Sequence, residues 1–92
     1  MLDIPTEFAL YDNYPNPFNP QTIIGYDMPQ AGQVSLRVFD VLGRLVATLV
    51  NQEQVAGRHQ VTFNAERFAS GVYLYRIKVG GFSKVGKMIL VK

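Results

Sequence analysis

The segment QVSLRVFD, residues 33–40, alternates apolar and polar side chains with a period of two, a pattern that suits a pleated strand and no helix. Val34, Leu36 and Val38 fall on one face, with Ser35 and Arg37 on the other, as expected for a half-buried antiparallel strand. The same alternation returns near Thr22–Met28, Arg44–Val50, Arg58–Asn64, Val72–Val79 and Phe82–Val91, and helical periodicity is nearly absent. With a possible edge segment around Phe8–Tyr11, and turn signals spaced by roughly ten residues, the chain predicts an all-β antiparallel sandwich of about seven strands.

The turns carry their own chemistry. Pro29 and Gly32 frame a reversal, and Gly57 and Gly71 break the chain. In DVLGR, Asp40 is placed to bond its own turn and Gly43 to take a left-handed conformation, which predicts a three-residue hairpin with a bulge. VGGF, residues 79–82, is a two-residue hairpin signal with both glycines free to take positive φ. That turn fixes a register: Val79 faces Phe82, Ile77 faces Lys84, Tyr75 faces Gly86, Tyr73 faces Met88 and Gly71 faces Leu90. Tyr73, Tyr75, Ile77, Met88 and Leu90 then share the core face, with the Tyr75 ring over Gly86. Arg76, Lys78 and Lys87 go to the wetter face.

YPNPFNP, residues 14–20, holds three prolines. Lacking amide hydrogens, Pro15, Pro17 and Pro20 exclude a central strand and predict a segment running extended along an edge or across the end of the sandwich. Ordering it costs little entropy, so Tyr14 and Phe18 are expected to serve as apolar anchors.

Ninety-two residues predict a single domain, 1–92, with residues 1–7 a linker or the edge of an excised domain. At 48% apolar and 17% charged residues the composition is that of a globular chain. Without cysteine, disulfides and thiolate sites are excluded. No apolar run approaches the roughly 20 residues that cross a bilayer, so no transmembrane segment is expected, and no signal peptide pattern opens the chain. Three arginines against seven acids give −4 over residues 1–66, whereas six cations without an acid give +6 over residues 67–92. That asymmetry fits either a solvated outer face or a basic tail that docks on an acidic surface.

No catalytic constellation is visible. His59 is the only histidine and is expected half-buried beside Val61 and Phe63, while Ser35, Ser70 and Ser83 lack a nucleophile elbow. Asp12, Asn13, Asn16, Asn19, Asp27 and Asp40 lack the spacing of a calcium loop and read as turn formers, so neither metal nor cofactor is expected. A nucleic-acid platform needs aromatics and cations on one exposed face, and the register turns the tyrosines inward. The same objection weakens a carbohydrate platform, although Tyr11, Tyr26 or Phe39 could be exposed.

The run PTEFALYDNYPNPFNPQTIIGYDMPQAGQVSLRVFDVLGRLVATLV, then AGRHQVTFNA, ASGVYLYRI and the terminal KMILVK, resembles the type A C-terminal sorting domains of type IX secretion cargo. The resemblance implies an immunoglobulin-like fold, shared with part of flagellar hook-capping proteins, and a non-catalytic address found in Bacteroidetes-type bacteria. It implies an upstream cargo domain that reaches the periplasm in transit, an outer-membrane secretion translocon, a sortase-like protease, and a final place at the cell surface or outside the cell. The family motifs fall on Tyr14, Pro15, Asn16, Pro17 and Phe18, on Asp40, Gly43 and Arg44, and on Gly71, Val72 and Tyr73. The terminal signal falls on Lys87, Met88, Ile89, Leu90, Val91 and Lys92. Where many members carry tryptophan and aspartate, this chain has Phe63 and Asn64.

A terminal strand with unpaired backbone groups is able to add to a receptor's sheet edge, with Met88 and Leu90 filling pockets and Lys87 and Lys92 steering the encounter. A carbohydrate-binding or polymer-binding accessory module is the alternative reading, and a structural spacer a third.

Overall fold

The computed structural model describes residues 4–92. The seven strands are β1 (Ala9–Leu10), β2 (Gln21–Met28), β3 (Gly32–Asp40), β4 (Leu45–Gln54), β5 (Gly57–Asn64), β6 (Gly71–Val79) and β7 (Phe82–Leu90). One antiparallel sheet runs β1-β2-β5 and the other β4-β3-β6-β7. This is the immunoglobulin-like division, with the fourth strand on the sheet that carries the last two.

One core lies between the sheets. Ile24, Tyr26 and Met28 supply it from β2, Val34, Leu36 and Val38 from β3, and Tyr73, Tyr75, Ile77, Met88 and Leu90 from β6 and β7. Every one of these positions is set by the period of two in its own strand. Tyr73 donates its hydroxyl to the Ala69 carbonyl four residues upstream at 2.6 Å, the tyrosine corner of sandwiches of this kind.

The β6–β7 register matches the expected one from Val79↔Phe82 through Gly71↔Leu90. Within that turn only Gly80 takes a left-handed φ, +56°. The turn therefore has the primed geometry with one left-handed position rather than two. The Asp40 hairpin forms as expected: Asp40 N–H donates to Arg44 O at 2.9 Å, Gly43 N–H to Asp40 O at 3.0 Å, and Gly43 takes φ +83°.

Strand β4 runs four residues beyond the predicted Val50, because β3 extends back to Gly32 and offers Gln54 a backbone partner. Backbone pairing there outweighs the lack of apolar side chains in NQEQ. At the N-terminal edge only Ala9–Leu10 pair as a strand, while Tyr11 N–H still donates to Gly25 O at 2.9 Å. Residues 1–3 of the expected linker lie outside the described residues; residues 4–7 line a surface groove beside Asp27 and Arg58.

Burial holds the Tyr26 and Tyr75 hydroxyls above the ordinary tyrosine value of 10.0. Both groups keep their protons longer in the fold than in the unfolded chain, so stability is intact below pH 10 and declines as pH rises through it. The decline is up to roughly 1.4 kcal/mol per pH unit for each tyrosine. Urea unfolding at pH 8, 10 and 11, followed with tyrosinate absorbance, is expected to show lower midpoints only above 10 and ionisation concurrent with unfolding.

Candidate functional site: a clamped C-terminal strand

Segment 14–20, the Asp40 hairpin, the corner before β6 and the end of β7 all meet at one end of the molecule. Asp40 pairs with Tyr73, Gly71 with Leu90, and Gln21 with Asn64. Ile4 and Pro5 lie with Asp27 and Arg58, at the end where β2 meets the start of β5. Residues 4 and 5 and the chain tail thus lie at opposite ends of the strands.

Strand β7 is the edge of its sheet, yet the edge of its final stretch is covered. Tyr14 pairs with Ile23 of β2, and Phe18 forms a parallel bridge with Leu90, so the proline segment crosses from one sheet to the other. Phe18 N–H donates to Ile89 O at 2.9 Å, and Val91 N–H donates to Phe18 O at 3.0 Å. Asn16 adds two side-chain bonds: its Oδ1 accepts from Ile89 N–H at 3.0 Å and its Nδ2 donates to Lys87 O at 3.3 Å. The expected unpaired backbone is therefore occupied at Lys87, Ile89 and Val91. Prolines suit this role, because the segment donates only from the Tyr14 and Phe18 backbone and the Asn16 side-chain amide, and none of these is a proline.

The two expected anchors of that segment part ways. Phe18 is buried to 2% exposure and packs its ring 6.1 Å from that of Phe63. Tyr14, at 79% exposure, corrects the expectation: its backbone bonds both ways with Ile23, and that edge pairing directs its ring to solvent. Buried Asn13 takes the inward place. Its backbone N–H donates to the Tyr75 hydroxyl at 3.1 Å, and its Nδ2 donates to Thr22 Oγ1 at 3.0 Å and to Pro15 O at 3.2 Å. Thr22 Oγ1 in turn donates to Pro15 O at 2.9 Å. Tyr75 completes the knot by donating to Tyr11 O at 2.9 Å. Pro17 is exposed.

Asn13 and Thr22 were legible only as a turn former and a strand residue. No sequence signal marks a buried amide whose partners come from three separate segments.

The other motif residues flank the clamp. Asp40 accepts from the Leu42 and Arg44 backbone N–H groups at 2.9 and 3.0 Å and pairs with Arg44 Nε at 2.7 Å. These bonds, the Arg44 backbone N–H first among them, hold its carboxyl below the ordinary value of 3.8. An open cleft of about 270 Å³ is lined by this hairpin together with Gly71, Val72 and Tyr73. At the chain end, Lys92 N–H donates to Ser70 Oγ at 3.0 Å and its ammonium bonds the Glu66 carbonyl.

Within the tail the faces alternate. Met88 and Leu90 are in the core, whereas Lys87, Ile89, Val91 and Lys92 are exposed. Phe63 is a core residue, and Asn64 Oδ1 accepts from Glu66 N–H at 3.0 Å, so this pair does packing and turn work.

Residues weighed for other chemistry are engaged elsewhere. His59 is half-buried, stacked on Tyr26 at 5.3 Å, with Nε2 2.8 Å from Val55 O. Asp27 lies 3.6 Å from Arg58 and accepts from the Tyr11 hydroxyl, at the end far from Asp40. Among the described residues no cluster of three or more His, Cys, Asp or Glu is placed to hold a metal. No helix among them is long and apolar enough to cross a membrane. Of the aromatics a sugar platform would use, Tyr26 is buried and Phe39 half-buried, while Tyr11 and Tyr14 are exposed.

Fold and site together define an immunoglobulin-like sandwich whose last strand is clamped by its own proline segment. Residues 12–92 match the family model of the secretion system C-terminal sorting domain, and the chain belongs to that family. No curated protein matches it in sequence. The domain is a C-terminal sorting signal for type IX secretion, which implies an upstream cargo and a secretion machinery that takes it across the outer membrane to the surface or beyond. The family is that of a secretion signal rather than a catalyst.

Proposed function

We propose that the outer-membrane translocon reads Lys87–Lys92 from the periplasmic side while the strand is still in its sheet, and that a sortase-like protease later removes the domain at the surface. Residues 1–92 act as one domain, with 1–7 as the linker to cargo. The observation that carries the reading is the clamp: Asn16 and Phe18 occupy the backbone positions that strand addition would need. Withdrawing the strand so that Met88 and Leu90 fill receptor pockets would expose two side chains now at 0% and 1%, at about 1.5–3 kcal/mol each. That is a large share of the roughly 5–14 kcal/mol available to a chain of this size. Lys87, Ile89 and Val91 are accessible without that cost. The separation of entry and tail also holds a cargo away from the signal.

The test is a signal-peptide-bearing reporter fused ahead of this chain in a type IX secreting host. The full chain is expected outside the cell, and the chain lacking residues 87–92 inside. Lys87→Glu/Ile89→Asp, which leaves Met88 and Leu90 in place, is expected to fold yet remain inside. Retention of the full-chain fusion overturns the sorting role, and normal export of the folded double variant overturns the folded-tail reading.

A further inference from the structure

The outer face of the four-stranded sheet contains an unresolved electrostatic conflict. Arg37 of β3 stands directly opposite Arg76 of β6, and like charges placed so are destabilising. Among the described residues no acid pairs with either of them. The ion pairs among the described residues are Arg44–Asp40 and Arg58–Asp27. Among the described strand residues, the carboxylate in line on this face is Glu53, opposite Gln33, four residues from Arg37 and hence roughly 13 Å along the strand.

Further cations continue the charge. Lys78 faces Ser35, and Lys87 faces Leu74. The arginines are also held rather than free: Arg76 lies 5.0 Å over the Phe39 ring, and Arg37 Nε is shut off from water with no acceptor. A buried donor without a partner and two opposed guanidiniums both work against folding. Val85, at 55% exposure, stands opposite Arg76, and Val72 at 37% and Ile89 at 36% continue the apolar surface toward the tail.

We propose that this face docks onto a protein surface that presents at least two neighbouring carboxylates among apolar side chains, with Arg37 and Arg76 as the recognition pair. The inference rests on the sorting reading and deepens it: the partner is an acidic component of the export machinery, engaged beside the tail strand. Guanidiniums fixed in a row match paired carboxylates through bonds from their outward N–H groups, and the arriving charge removes the repulsion. The flanking valines and isoleucine favour a protein over a bare phosphate, because they gain only from an apolar neighbour. Steering by the surrounding lysines makes the encounter salt-sensitive.

Two measurements test it. In the first, the isotope-labelled full chain is titrated with the capped peptide EVEVEVE, with inorganic phosphate, and with phosphatidylglycerol vesicles. The peptide is expected to shift the amides of Arg37, Phe39, Leu74 and Arg76, and Arg37→Gln/Arg76→Gln to weaken it at least tenfold. Binding of phosphate or vesicles without the peptide, or peptide shifts confined to other faces, overturns the proposal.

In the second, the reporter fusion carries Arg37→Gln/Arg76→Gln. Export is expected to fall about tenfold while the thermal midpoint stays level or rises, since a repulsion has been removed; undiminished export overturns the proposal. If the wild-type fusion is itself retained, the sorting reading fails and the peptide titration alone decides the docking face. The single Arg76→Gln variant serves both assays should the double variant not fold.

Discussion

Phe18→Ala is expected to lower unfolding free energy by about 3–5 kcal/mol, the range for removing a buried aromatic ring. Phe18 combines 2% exposure with two backbone bonds to the tail, so losing the ring both opens a cavity and loosens the clamp. Tyr14→Ala in the same motif is expected to change stability by less than about 0.5 kcal/mol, as for other exposed sites, because that ring is 79% exposed. Urea midpoints of the two variants, taken with the wild type, check the contrast. Equal losses at the two positions would mean that Tyr14, too, anchors the segment.

Gly86→Ala carries the second large effect, a loss of about 3 kcal/mol, the upper end of the overpacking range. A Cβ built on Gly86 falls on the ring and hydroxyl of Tyr75. Tyr75 is at 1% exposure and is held by its bonds with Asn13 and Tyr11. The ring has no room to retreat without giving up both, so overpacking and lost hydrogen bonds act together. Gly81→Ala, with open space around its Cβ, is the comparison and is expected to stay near wild type. Thermal unfolding of both variants, with the Tyr75 ring resonances as a local reporter, separates a shifted ring from a general loss of order.

The register of the last hairpin was legible because two glycines fix the turn and a period of two propagates from it, which placed Tyr75 over Gly86 and Met88 beside Tyr73. Asp40 and Gly43 were legible for a similar reason: their bonds close within five residues. The clamp was not legible. Asn16 reaches Ile89 across 73 positions, and nothing local distinguishes an asparagine that caps a strand edge from one that forms a turn. Tyr14 and Phe18 looked equivalent by composition, and only pairing with β2 on one side and β7 on the other sends one ring out and the other in. The opposition of Arg37 and Arg76 likewise depends on β3 lying beside β6, a neighbour relation that alternation within either strand does not encode.

Amide hydrogen exchange along β7 tests the clamp most directly. Ile89 and Val91 point their N–H groups away from β6, as Val85 does on the uncovered stretch of the same edge. With Asn16 and Phe18 in place, Ile89 and Val91 should exchange roughly a hundredfold more slowly than Val85, approaching Met88 and Leu90. Exchange of Ile89 and Val91 at the rate of Val85 would contradict the account, for the tail edge would then be open and the proline segment no clamp.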